Sequence, residues 1–398
     1  MPSALLPIFL IVVVDILGMT IMYPLLPFYA EHLGAGPLGA GLLVSVYAVF
    51  QLIGGPLLGR LSDSTGRKPL LIVSQIGTLI GFIILAFATS LWMIFFSRIL
   101  DGITAGNISL AQAYIADVTK PEERTKSFAV IGIAFGLGFL IGPAISGYLA
   151  QFGYQYPIYA AMALSATSIV TTAVLLPATK PSVESQTERR LSILGWGSYA
   201  EYFRRPGLSS LLWQFFAYIF SFSLFMSGFP LFAERRYTWE GKPFGPKEVG
   251  YIYAYIGVLG IILQGGLIGR LVKIFGDRRL VQGGLFFSAI GFTALAWTYG
   301  VNMLLLVAGV LALSTGVVRP ALTTLITVGT GKHEQGSVLG LTQSIQSVAQ
   351  IVAPFLAGLL IEHRQLELWA LAAAAASIIG LLFHRAETRA SANSPTGI

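Results

Sequence analysis

Cysteine is absent from this chain of 398 residues, which excludes disulfides, thiolate metal sites and cysteine nucleophiles. Charge is scarce as well. Asp, Glu, Lys and Arg make up only 11% of the residues, too few to coat a soluble protein of this length. The four histidines, His32, His333, His363 and His384, are scattered without ligand spacing. A membrane-embedded enzyme would need a His, Cys or paired-acid centre, and none is found. Neither catalysis nor a cofactor or metal is therefore expected. Nucleotide signatures fail too. Gly34-Ala-Gly-Pro37-Leu-Gly39 matches a dinucleotide pattern in letters only, because it follows an apolar helix rather than a strand and contains a proline. Gly331-Lys332-His333 lacks the upstream glycine and the hydroxyl residue of a phosphate-binding loop.

Apolar residues fill the place of the missing charge, at 55% of the chain. They fall in continuous blocks of about twenty, the length that crosses a bilayer core, rather than in the alternating pattern of a barrel. Twelve membrane helices are predicted, at 5–30, 38–60, 70–89, 91–117, 125–151, 157–177, 208–232, 246–272, 280–299, 302–328, 334–361 and 366–384. Residues 5–30 are read as a retained helix, not a signal peptide, because no small-residue cleavage site follows. The loops at one end of this arrangement carry 18 of the 25 Lys and Arg residues, and those at the other end carry five. The positive-inside bias then puts both termini in the cytoplasm. The net charge of +7 reports topology, and no nucleic-acid partner is expected.

The chain repeats itself. Gly59-Arg-Leu-Ser-Asp63-Ser-Thr-Gly66-Arg67-Lys68 returns 210 residues later as Gly269-Arg-Leu-Val-Lys273-Ile-Phe-Gly276-Asp277-Arg278-Arg279. Residues 122–147 align with 333–358, setting Glu123 on Glu334, Pro143 on Pro354 and Gly147 on Gly358. Pro27-Phe-Tyr-Ala-Glu31 resembles Pro230-Leu-Phe-Ala-Glu234. Two parallel six-helix bundles are expected, 1–177 and 208–398, joined by a cytoplasmic linker at 178–207. Within the linker, Leu191 to Phe203 is either a segment lying flat on the membrane or part of a disordered tether. Such symmetry usually places a substrate path between the halves.

The loop Gly59-x-Leu-Ser-Asp63-x-x-Gly66-Arg67-Lys68 resembles the loop signature of the major facilitator superfamily. Its glycines permit a tight interhelical turn with close backbone approach. Asp63 can meet a helix N-terminus or a basic partner, and Arg67 and Lys68 can hold the headgroups. In that family the loop latches the outward-open state, a role the resemblance implies for Asp63. In the second copy Lys273 replaces the aspartate, so the two hinges cannot be electrically equivalent. Gly138-Phe-Leu-Ile-Gly142-Pro143-Ala-Ile-Ser-Gly147 resembles the fifth-helix motif of the superfamily's antiporters. Pro143 removes a helical hydrogen bond and the glycines permit a hinge and tight packing. Asp15-x-x-Gly18, with Pro24 and Pro27 beyond it, and Ala116-Asp117-Val-Thr-x-Pro-Glu-Glu-Arg124 resemble the twelve-helix drug:proton antiporters, tetracycline efflux pumps above all.

Four ionisable residues stand out inside the apolar spans: Asp15, Arg98, Asp101 and Arg319. Each costs about 2.5–3.5 kcal/mol at a helix centre, and such residues usually face the bundle interior. Asp15 lies about 15 Å into its helix at 1.5 Å per residue, near the midplane. It is either a proton-coupling carboxylate or a hydrogen-bonded packing residue. Arg98 and Asp101 share one helix face. They neutralise each other, or they form a switch in which protonation of Asp101 frees Arg98. Arg98 matches the family's fourth-helix arginine. Arg319 cannot lose its proton and needs an anion, from the protein or from the substrate. Gln51, Asn107, Gln264 and Gln343 either bind substrate or join helices by hydrogen bonds.

The expectation is a monomeric, proton-coupled exporter of small amphiphilic compounds in a bacterial cytoplasmic membrane, working by antiport, with lipid and protons as its other partners. A symporter importing a metabolite or organic anion is the alternative.

Overall fold

The computed structural model describes residues 5–119, 124–177, 196–330 and 335–392. These are helical almost throughout, as the need to satisfy every backbone polar group within a bilayer demands. The first half contains α1 (Leu5–His32), α2 (Pro37–Thr65), α3 (Arg67–Ala86), α4 (Leu91–Ile103), α5 (Asn107–Val118), α6 (Arg124–Ala150) and α7 (Gln155–Leu175). A short α8 (Trp196–Arg204) precedes the second half, α9 (Pro206–Arg236), α10 (Pro246–Ile262), α11 (Ile268–Ala296), α12 (Val301–Val328), α13 (Gln335–Glu362) and α14 (Leu366–Ala392).

Among the described residues, ten helices are long and apolar enough to cross a membrane. The other two of the twelve expected crossings are hidden by local irregularities. The fourth is split at Thr104–Gly106, between α4 and α5. Its freed backbone groups are met by Ser74 of α3. The Gly106 amide donates to Ser74 Oγ at 3.0 Å, and the Ser74 hydroxyl donates to the Thr104 carbonyl. Irregular backbone at membrane depth is tolerated only when buried in protein in this way. Elsewhere α10 continues through a π-helical turn at Leu263–Leu267 into α11, giving a 51-residue stretch. At 1.5 Å per residue it would be about 75 Å long, more than twice a hydrocarbon core. Gly276, at φ 72°, divides it into two crossings.

Several helices outrun their predicted ends, because polar termini project past the apolar core. Residues 178–195 of the expected linker lie outside the described residues. Within the remainder, Tyr202 joins a core cluster with Leu208 and Leu211, and Arg205 lies 5.0 Å over its ring. A hairpin between α9 and α10 pairs Thr238–Trp239 with Lys242–Pro243. Its turn residues Glu240 and Gly241 both have positive φ, matching the twist that two-residue hairpin turns require. The sequence patterns did not signal it.

Helix pairing is the same in the two halves. In the first, α1 packs on α6 and α7, α2 on α4, and α3 on α7. In the second, α9 packs on α13 and α14, α10 on α12, and α11 on α14. Two seams join the halves, α6 against α10 and α13 against α2. These too are related by the repeat. A Cβ added at Gly250 of α10 would lie 2.6 Å from the Pro143 carbonyl, and one at Gly41 of α2 would collide with the Pro354 carbonyl. Gly147 and Gly358 face the same partner helices. The aligned Pro and Gly residues of the two repeats thus build the two places where backbones touch, as small residues do in membranes. All these contacts sit at the sparsely charged end. At the basic end, a Cβ at Gly59, Gly265, Gly266 or Gly269 would meet nothing within 4 Å.

Candidate functional site

Asp15 of α1 is half-buried and tied to two other helices. Ser168 of α7 donates to Asp15 Oδ1 at 2.9 Å, and Gln75 of α3 donates from Nε2 to Ser168 Oγ at 2.8 Å. Ser168 and Gln75 are fully buried, and Gln75 also lies beside Asp15. Across from them, Arg98 Nη1 lies 3.1 Å from Asp101 Oδ2, with both side chains buried. The i, i+3 pairing read from the sequence is therefore made. It is incomplete, since Arg98 Nε has no hydrogen-bond partner among the described residues.

A cavity of about 20 Å³ adjoins Asp15, lined by Val14, Asp15, Gly18, Thr78, Phe82, Asn107 and Ser165. Thr78 also lies beside Asp101, and the Arg98 guanidinium lies 5.9 Å from the Phe82 ring centre. Two of its walls are thus shared with the ion pair. The space suits one water, and the polar lining supplies the partners a buried water needs. Asn107 Oδ1 is buried with no partner of its own, an acceptor that such a water can satisfy. Tyr47 lies within electrostatic range of Asp101, Arg98, Tyr23 and Asp15. Gln51 donates to the Tyr47 hydroxyl at 3.1 Å, one turn away on α2.

Arg319 is half-buried on α12. It donates to Gln346 Oε1 of α13 at 3.2 Å and lies 5.5 Å over Phe135 of α6. Gln264 and Gln343 are exposed, and Gln343 lies one turn before Gln346 on α13. Gln75, Ser168 and Thr78 were missed from sequence, although a glutamine within an apolar span was as available a signal at 75 as at 51.

At the basic end, Arg67 gathers the loop. It pairs with Asp63 at 2.6 Å and with Asp117 of α5 at 2.8 Å, and it donates to Ser62 Oγ at 2.6 Å. Lys68 donates to the Ala173 carbonyl of α7 at 2.8 Å. Gly66, at φ 94°, makes the turn that a side chain would resist. Gly59 differs from expectation: its surroundings are open, and its carbonyl accepts from Ser62. The fifth-helix motif has two faces. Gly138 and Gly142 hold α6 against Ile16 and Thr20 of α1, with the Thr20 hydroxyl donating to the Gly138 carbonyl at 2.8 Å. Pro143 and Gly147 form the seam with α10.

The Major Facilitator Superfamily model matches residues 8–268 and 265–397. The chain is 30% identical over 352 residues to the class E tetracycline resistance protein of Escherichia coli, covering 86% of this chain and 84% of that one. It is 29% identical over 356 residues to multidrug resistance protein 2 of Bacillus subtilis, covering 88% and 86%. Among solved structures, the human organic anion transporter MFSD10 superposes with a TM-score of 0.73 at 23% identity, covering 96% of this chain and all of that one. A bacterial Spinster homologue in an inward-facing conformation gives 0.76 at 16% identity, covering 99% of each chain. These superpositions speak to the fold alone.

Proposed function

The chain belongs to the major facilitator superfamily of integral membrane transporters, and from that premise we propose that it exports small amphiphilic drugs in exchange for protons. The basic end faces the cytoplasm of a bacterial cell, and each monomer works by alternating access. One observation carries the reading: a water-sized cavity is lined by Asp15 and by Thr78 and Phe82, two side chains that also flank the Arg98–Asp101 pair. Two carboxylates, one arginine and a water site can pass one proton between them without exposing either acid to lipid. With the basic end open, substrate enters and Asp15 gives its proton to the cytoplasm. The ionised Asp15 then competes with Asp101 for Arg98. Once the halves rock and the other end opens, external acid reloads Asp15 as the substrate leaves. The relatives named for tetracycline and multidrug resistance support export over import.

The test is proton release. Adding tetracycline to the purified protein in weakly buffered detergent should release protons in proportion to the amount bound. Binding with no release in this assay would overturn the coupling. Accumulation of tetracycline by inside-out vesicles under an acid-interior gradient settles direction, and uptake by right-side-out vesicles would favour the symporter.

The loop copies make a second prediction. Asp63→Ala should shift the equilibrium toward the basic-end-open state by roughly two- to threefold, the range for a partly exposed ion pair. Lys273→Ala should do less. Spin-label distances across the opposite mouth, unchanged in Asp63→Ala, would reject the latch.

A further inference from the structure

We propose that among the compounds it exports this transporter binds most tightly those bearing an acidic group on a planar ring system, and that Arg319 receives that group. The proposal rests on the export reading for the site's role and adds the substrate's chemistry.

Arg319 stands out from the other intramembrane arginine. Arg98 is paired with Asp101, whereas among the described residues no carboxylate lies within ion-pair distance of Arg319. Its hydrogen bond goes to the neutral Gln346 at 3.2 Å. A guanidinium at membrane depth with no counter-anion is costly. It cannot relieve that cost by losing a proton. An incoming carboxylate or acidic enol relieves it, and the guanidinium fork can grip two oxygens at once. Arg319 lies about nine residues from the basic end of α12, and Phe135 and Gln346 lie about eleven from the same end of α6 and α13. At 1.5 Å per residue all are about 13–17 Å deep, the depth of Asp15.

The ring contacts place the rest of such a molecule. Phe135 stacks near Phe139 at 6.5 Å, Tyr23 near Phe139 at 5.8 Å, and Phe139 meets Phe222 edge-on at 6.2 Å. These side chains come from α1, α6 and α9, so the aromatic wall crosses from one half to the other. All four are half-buried, as walls of a cleft are. Tyr23 and Tyr218 also lie within electrostatic range of Arg319. A flat acid held by Arg319 and Gln346 from the second half would lie against Phe135 and Tyr23 from the first. Its binding is then felt by both halves, which rocking requires.

The experiment uses the full chain in proteoliposomes and four probes: 2-naphthoate, its neutral amide 2-naphthamide, cationic ethidium and inorganic phosphate. The wild type should bind naphthoate at least about tenfold more tightly than the amide, the range for a hydrogen bond to a charged group. Arg319→Gln should erase that preference by weakening naphthoate at least about tenfold while the amide binds as weakly as before, and Arg319→Lys should keep part of it. Phosphate should not compete. The proposal is overturned if the wild type shows no preference, if all organic probes lose equally in Arg319→Gln with a lowered melting temperature, or if phosphate displaces naphthoate as well as the acid itself does. The preference in the wild type is decisive even where a variant does not fold. Selective naphthoate binding without export would sink the export reading and leave this one standing. Export of ethidium without naphthoate selectivity would do the reverse.

Discussion

Asp15→Asn is expected to abolish uphill export while leaving downhill exchange in place. The substitution keeps an oxygen at Oδ1, so Ser168 can still donate to it as it does at 2.9 Å, and the link through Ser168 to Gln75 survives. What the amide cannot do is change charge. For a neutral substrate, one proton moved through 100 mV supplies about 2.3 kcal/mol. At about 1.4 kcal/mol per tenfold, that sustains a gradient of about fifty-fold. In Asp15→Asn vesicles the ratio should collapse to about one, while counterflow of preloaded substrate continues, because neither binding nor rocking needs a titrating group. Asp101→Asn should behave differently. It strips Arg98 of its counter-ion in a buried site, and breaking a buried pair costs about 3–5 kcal/mol, so expression and melting temperature should fall with transport. Concentrative export at the wild-type rate by Asp15→Asn would make Asp15 a packing residue.

The residues that could be found in sequence were those that violate an apolar pattern. Asp15, Arg98, Asp101 and Arg319 are conspicuous because charge is expensive in a membrane helix; Asp15 lines one small cavity, and Phe82 of that cavity lies against Arg98, which pairs with Asp101. The repeat was equally informative. Aligning Pro143 with Pro354 and Gly147 with Gly358 anticipates two equivalent features, which are the α6–α10 and α13–α2 seams. Hydroxyl groups escaped notice for the opposite reason. Ser74, Thr78 and Ser168 are unremarkable in any membrane helix, and their roles come from what the neighbouring helix leaves unsatisfied. Thr104–Gly106 looked like the interior of one span because a break repaired by Ser74 leaves the apolar run uninterrupted. Arg235 is one of the few basic residues at the sparsely charged end, and linear sequence cannot show that α1 and α9 end side by side.

That last pairing yields the second large effect. Arg235→Ala is expected to open the sparsely charged end. Arg235 Nη2 lies 2.6 Å from Glu31 and Nη1 lies 2.9 Å from Glu234, so one guanidinium separates the two glutamates that the repeat aligns. Glu31 and Glu234 also lie within electrostatic range of each other. One comes from each half. Without the arginine they become a like-charged pair across the closed mouth, which the glycine seams, the Ser45 hydroxyl on the Ile351 carbonyl at 2.7 Å and Glu362, accepting from the Leu38 amide at 2.8 Å, still hold. All three side chains are partly exposed, at 19–32%, so screening limits the effect to about 1 kcal/mol. That is about fivefold in the ratio of open to closed mouths. The missing native cysteines make labelling clean. Gln151→Cys and Lys242→Cys sit at this end on opposite halves, and the spin-label distance between them should lengthen in Arg235→Ala. Adding Glu31→Gln should bring it back, as should acidification, because either change removes one of the facing charges. A distance that stays long in the double variant would mean that Arg235 acts through packing. A distance unchanged in Arg235→Ala would assign closure to the two glycine seams.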